Sequence, residues 1–372
     1  MTIEAIALKP PDPLLKIIKM FREDKRRDKI DLGVGVYRDA SGNTPVMAAV
    51  KEAERRLLAT QTTKTYVGAH GNLEFLELMG DLAFGGMGRE LVSIQAVGGT
   101  GALRLGCDLL REAGARRVLL PTPSWPNHPA IIAAARLERV DAPFFDVAEQ
   151  RIDIDGLIDS FARVEAGDAV ILQACCHNPL GADFSMAQWE RLAEACNARG
   201  IIPFGDLAYQ GFGDGIEEDV AGARLMLSRV PEAVVAVSGA KSFGLYRERV
   251  GACFVKAPEK ARAAVASNLA AIARANYSMP PDHGAACVRE VLGDAELRHS
   301  WREELDGIRA HIKHTRALLA SARTNSIPMH LIGAQSGMFS TLPLSDEQVL
   351  ALREARGIYM TDAARINVAG LR

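Results

Sequence analysis

Apolar positions along the chain occur in two alternating patterns. Short, nearly continuous runs at 117-RVLLP-121, 138-ERVDAPF-144, 169-AVILQAC-175, 201-IIPFGD-206 and 233-AVVAVSG-239 have the length and composition of buried strands. Between them lie segments with apolar residues at helical spacing, at 102–114, 128–137, 186–200 and 219–230. Strands and helices in regular alternation predict βαβ units, an α/β fold whose central sheet is mostly parallel and flanked by helices. Earlier in the chain, 14-LLKIIKMFRED-24 reads as a helix opened by Asp12-Pro13, 31-DLGVGVYRD-39 as a glycine-punctuated extended piece, and 46–61 as an amphipathic helix. Beyond residue 258 the pattern is mainly helical, with a long polar helix over 296–323, and 327–362 suggests a smaller α+β unit. The expected division is an N-terminal arm with part of a small domain (1–44), a large domain (45–305) and the rest of the small domain (306–372).

Composition narrows the function. At 372 residues the chain can build an enzyme-sized cleft, and 48% hydrophobic residues with a net charge of -2 give it no general attraction to nucleic acid or anionic lipid. Small molecules and second copies of the chain are the expected partners. The six cysteines (Cys107, Cys175, Cys176, Cys196, Cys253, Cys287) show no metal-ligand spacing and sit mostly in apolar segments, as packed, reduced thiols of a cytoplasmic protein would. Neither a signal peptide nor an apolar run of membrane-spanning length is expected.

Three features bear on chemistry, and each alone has an ordinary reading. In 96-AVGGTGALR-104 adjacent glycines precede a helix, which suits phosphate but is also a common turn. Asp206 ends an apolar strand with Tyr209 three residues on, either a buried carboxylate needing a cation or a helix cap. Lys241 follows another strand among small residues, either a desolvated amine able to attack a carbonyl or a loop lysine. One cofactor asks for all three: pyridoxal phosphate needs an anion cradle, a carboxylate at its ring nitrogen and a lysine for its aldehyde.

The motifs 33-GVGVYRD-39, 62-TTKTYVG-68, 97-VGGTGALR-104, 123-PSWPNH-128, 175-CCHNPLG-181, 206-DLAYQGFGDG-215, 241-KSFGLYRERVG-251, 274-RANYS-278 and 365-RINVAGL-371 span nearly the whole chain. In them the sequence resembles the class I aminotransferases of fold type I, specifically the aspartate and aromatic-amino-acid subgroup. The resemblance implies that Lys241 binds the cofactor aldehyde and, once displaced by substrate, moves the proton at the substrate Cα. Asp206 is implied to hold the pyridinium nitrogen, with Tyr209 and Asn178 donating to the ring's phenolic oxygen and Trp125 stacking on the ring. Gly99, Thr100, Ser238 and Arg249 are implied to hold the phosphate, joined by Tyr66 from the neighbouring subunit of a homodimer. Arg365 is implied to grip the substrate α-carboxylate with Asn178, Trp125 and Gly35, and Arg274 to reach across the interface to a distal carboxylate. His128 and His177 would lie behind Asp206, and no metal is implied.

By the same resemblance the reaction is a ping-pong transamination of aromatic amino acids, aspartate or both, with 2-oxoglutarate as acceptor. Met279, apolar where aspartate enzymes are often polar, favours an aromatic enzyme of dual specificity over a strict aspartate aminotransferase; a lyase or β-decarboxylase on the same fold is a further alternative. Transcription regulators that join such a domain to a DNA-binding head are disfavoured, since no basic patch or helix-turn-helix precedes residue 12. Leu180 stands where threonine is frequent. Ala240 stands where a phosphate-binding serine is common, a loss of about 1 kcal/mol of cofactor affinity. The chain stops at Arg372, where relatives continue with a final helix, and exposed apolar surface is expected on the small domain for that reason.

Overall fold

The alternating runs form a single seven-stranded sheet in the computed structural model, which describes residues 3–8, 13–324 and 327–371. The strand order is Val92–Val97, Val250–Lys256, Ala233–Ser238, Ile202–Leu207, Ala169–Gln173, Arg117–Thr122 and Glu138–Pro143. The last five pair in parallel, and Val250–Lys256 runs antiparallel to both its neighbours. Asp12 of the expected helix opening and Arg372 lie outside the described residues.

Period-two geometry explains why the strand runs are apolar throughout. In Ala233–Ser238 every residue is buried, with Val234 and Ala236 in one cluster and Val235 and Val237 in the other. Both sheet faces are covered by helices, so neither set of positions can be polar. A third cluster joins Leu32 to Met329, Ile332, Val349, Met360, Ile366 and Val368, where the antiparallel pair Phe339–Thr341 and Arg365–Asn367 lies.

The helices carry clear end signals. Met186–Arg199 opens on a Ser185/Gln188 capping box and closes at left-handed Gly200, and Asp346–Arg356 repeats the device with Ser345, Gln348 and Gly357. Ala295–Ser321 is capped by Asp294, whose carboxylate accepts from the amides of Glu296 and Leu297. From this helix Trp301 stacks on Phe243 at 4.7 Å and donates its indole N–H to the Ser242 carbonyl at 2.8 Å. Ser242 in turn donates its hydroxyl to the Gln210 carbonyl at 2.7 Å. The loop that carries Lys241 is therefore pinned from two sides.

Three elements depart from the sequence expectation. Leu73–Phe84 is a helix, and Val92–Val97 and Val250–Lys256 are strands that the apolar pattern did not single out. The glycine-rich stretch is not a turn preceding the helix, because the helix already begins at Gly98. Gly98 sits at φ +67, its N–H donates to the Arg249 carbonyl at 2.7 Å, and a Cβ there would lie 2.6 Å from the Arg249 guanidinium. Glycine is needed because backbone and guanidinium approach each other directly.

Candidate active site

The ends of the parallel strands converge on one cavity of about 140 Å³, lined by Gly99, Thr100, Trp125, Gln173, Asn178, Asp206, Tyr209, Ser238, Lys241 and Arg249 among others. Such a crevice at the carboxyl ends of the strands is where open α/β sheets hold ligands. Ile202–Leu207 delivers Asp206, Ala233–Ser238 delivers Ser238 and then Lys241, and Ala169–Gln173 delivers Gln173 and then Asn178.

Asp206 is nearly fully buried and accepts from His128 Nε2 at 3.1 Å, while Ser124 Oγ lies 2.9 Å from His128 Nδ1. Trp125 meets the His128 ring edge-on at 5.3 Å. His177 stands behind, packed on Phe144 at 4.7 Å, and burial pushes its pKa down to about 3, so it is neutral. Its Nδ1 has no hydrogen-bond partner among the described residues.

Lys241 lies with its ammonium nitrogen 5.1 Å from the centroid of the Tyr209 ring. Burial lowers its pKa, an effect that the Asp206 carboxylate partly opposes and the Arg249 charge reinforces. Among the described residues nothing accepts a hydrogen bond from it. Tyr209 is buried as well, and desolvation raises its pKa, so the phenol keeps its proton. Asn178 Nδ2 donates to the Tyr209 oxygen at 3.3 Å, leaving the phenolic O–H free to donate elsewhere.

Arg365 continues this line of donors. It gives one N–H to Asn178 Oδ1 at 3.3 Å and another to the Gly33 carbonyl at 2.6 Å, and its guanidinium lies 4.5 Å over the Phe339 ring. Its Nε is buried without a partner among the described residues. Gly35 passes so close that a Cβ there would come within 3.0 Å of Phe339.

At the opposite wall, Ser238 Oγ accepts from the Ala240 amide at 3.3 Å, and a Cβ on Gly99 would lie 3.0 Å from Ser238 Cβ. The first helical turn at Gly99 and Thr100, the Ser238 hydroxyl and Arg249 thus form a small anion cradle. Arg249 adopts φ +56 and donates to the Tyr246 carbonyl at 3.0 Å. Ala240 is buried, and Leu180 is fully enclosed in the apolar core.

Nine of the sequence-predicted residues therefore meet at one cavity, with Arg365 attached through Asn178 and Gly35 placed beside Phe339. Tyr66 and Arg274 do not join them: Tyr66 is 86% exposed, and Arg274 is exposed with its guanidinium on Ser278 Oγ at 2.9 Å. Gln173, Ser124 and Phe339 were not anticipated. For Gln173 a signal existed, a polar residue closing a strand that is otherwise wholly apolar.

Pyridoxal phosphate fits this constellation. A half-buried amine with no hydrogen-bond acceptor among the described residues, an aromatic slab at Trp125, a carboxylate backed by histidine and a cradle that a Cβ would fill match its aldehyde, ring, pyridine nitrogen and phosphate. Fold and cavity together define an enzyme built to use that cofactor. The chain belongs to the family described as aminotransferase class I and II, whose model matches residues 27–372, and is therefore an aminotransferase of a pyridoxal-phosphate-dependent family.

Relatives agree in extent. A tyrosine aminotransferase of Rhizobium meliloti (strain 1021) is 49% identical over 99% of this chain and 96% of its own length. The aspartate aminotransferase of Escherichia coli (strain K12) is 42% identical over 99% and 96%. A solved aromatic-amino-acid aminotransferase from Burkholderia pseudomallei, covalently bound to pyridoxal phosphate, superposes with a TM-score of 0.95 at 38% identity, over 100% of this chain and 96% of that one.

Among the described residues no helix is long and apolar enough to cross a membrane. All six cysteines are free and buried.

Proposed function

We propose that the protein transaminates aromatic amino acids and aspartate with 2-oxoglutarate as acceptor, in the cytoplasm, as a homodimer. The division into an arm (1–44), a large domain (45–305) and a small domain (306–372) belongs to the same reading. The observation that carries it is the continuous donor line Arg365–Asn178–Tyr209 ending beside Lys241. It joins a carboxylate-binding cation to a proton-moving amine in one buried cavity.

When bound, pyridoxal phosphate supplies an electrophilic aldehyde and an electron sink for charge developing at the substrate Cα. Gly99, Thr100, Ser238 and Arg249 hold its phosphate, Trp125 supports its ring, and Asp206, backed by His128, keeps its ring nitrogen protonated. Arg365 binds the α-carboxylate through its fork, a geometry that lysine lacks. Its two protein bonds and the Phe339 ring fix the fork in place. Asn178 orients both this arginine and the Tyr209 phenol. Lys241, whose pKa burial lowers, is placed to take up and return the substrate Cα proton, a transfer that proximity and a lowered pKa both favour.

Tyr66 and Arg274 lie on the outer surface of this chain, where they serve the partner's site in the proposed dimer. Arg274 would meet a distal carboxylate, and Met279 beside it leaves apolar room for an aromatic ring. A panel of kcat/KM values for tyrosine, phenylalanine, tryptophan and aspartate with 2-oxoglutarate tests the assignment. Turnover of both classes is expected; reaction with aspartate alone would support the second reading, a strict aspartate aminotransferase, which the likeness to the Escherichia coli enzyme favours.

A further inference from the structure

Gln173 closes the buried strand Ala169–Gln173 and reaches into the cavity, yet it has no place in the chemistry described so far. Its carboxamide makes two bonds to one residue. Oε1 accepts from the Asn178 amide at 2.8 Å, and Nε2 donates to the Asn178 carbonyl at 2.8 Å. Nε2 also lies 3.2 Å from His177 Nε2 and 3.5 Å from Ser124 Oγ. Asn178 sits in a loop outside regular structure, so these bonds substitute for a strand ladder. Its side chain, in turn, hydrogen-bonds both Tyr209 and Arg365, which otherwise share only packing on the Phe339 ring among the described residues.

We propose that Gln173 is a positioning residue that clamps the Asn178 backbone and thereby sets both the Tyr209 phenol and the Arg365 fork. The proposal rests on the aminotransferase reading of this cavity. A carboxamide is needed because it offers an acceptor and a donor side by side, matching the amide and carbonyl of one residue. A loosened Asn178 leaves two partners mispositioned at once, so the effect exceeds that of filling space.

The test uses the cofactor-loaded full-length protein with Gln173→Met and Gln173→Leu. Two quantities are read: the pH midpoint of the visible cofactor band without substrate, and KM against kcat for tyrosine. The ionisable groups facing that band are Asp206 with His128 behind it, Tyr209 with Tyr246 near it, Lys241, Arg249 and Arg365, and His177 lies against Gln173; none of them is altered. In Gln173→Met the midpoint should rise by about 0.7 pH unit as the Tyr209 donor slackens. KM should rise about fivefold, with kcat changing less.

Gln173→Leu likewise keeps apolar bulk with neither acceptor nor donor and adds no charge, so the shifts should persist in it. If Gln173 only fills space, both variants match the wild type in midpoint and KM, and the proposal falls. Should Gln173→Met not fold, Gln173→Leu decides by the same readings. A wild-type protein without any visible band overturns the aminotransferase reading and this proposal together; a normal wild-type titration unchanged in both variants overturns this proposal alone.

Discussion

The cavity at the strand ends and the outer face around Tyr66 and Arg274 carry residues read with equal clarity from the same set of motifs, but the fold treats them differently. Asp206 and Arg365 are buried and already held by bonds within this chain, and Lys241 is half-buried beside them. Tyr66 stands 86% exposed, and Arg274 rests on its own helix end. Groups that must act in a dry site are fixed before substrate arrives, which lets their charges act without reorganisation. Groups that recognise the outer end of a substrate can be left at the surface, provided that another copy brings them to a cavity.

The strongest way to break this comparison is at its buried end. Lys241→Ala should cut turnover by about 10⁴-fold, measured with saturating tyrosine and 2-oxoglutarate, because neither the amine nor the proton carrier has a substitute. Arg365→Lys should raise KM for every amino acid about 30-fold, since one ammonium cannot replace a bidentate fork.

At the exposed end the expected effect is smaller and selective. Arg274→Ala should raise KM for aspartate about tenfold and leave phenylalanine nearly unchanged. Mixing the Lys241→Ala and Arg274→Ala chains should restore aspartate turnover if the arginine acts in the partner's site. No recovery in exchanged dimers would mean that it acts within its own chain.

A stability measurement sharpens the buried side without any cofactor. Burial holds the folded-state pKa of Lys241 below its ordinary value, so between the two values the unfolded chain binds more protons and stability rises with pH. Below that window the full cost of desolvating the ammonium is present. Lys241→Met should therefore stabilise the cofactor-free protein against urea at neutral pH, with a gain that shrinks as pH climbs toward that of a free lysine. The smallest effect is expected from Ala240→Ser, which adds one donor beside Ser238 and should tighten cofactor binding about fivefold, read by equilibrium dialysis.

What was legible in the sequence follows from how local each signal is. The strands 117–121, 201–206 and 233–239 lie within one residue of their observed limits, because two-sided burial demands uninterrupted apolar runs. The run at 169–175 ends two residues early, where the Ala174 amide turns to the Asp206 carbonyl and Cys176 enters the left-handed region. Val250–Lys256, buried at all but its last residue, was passed over because Gly251 weakens its apolar run and the charged stretch 247–249 precedes it. Within the site, residues defined by chemistry were found, and of the supporting ones His128 was read from its motif while Gln173 was not. Lys241 and Asp206 stand out as charges at apolar strand ends, whereas the role of Gln173 exists only through the loop folded against it.

Absorption spectroscopy on the purified, cofactor-loaded protein tests the central claim, that Lys241 and its cavity perform transamination. The account predicts a visible band that shifts when tyrosine or glutamate is added and returns with 2-oxoglutarate, and a Lys241→Ala protein that shows no such cycle under turnover. A wild-type spectrum that no amino acid changes, or a Lys241→Ala protein that cycles like the wild type, would contradict it.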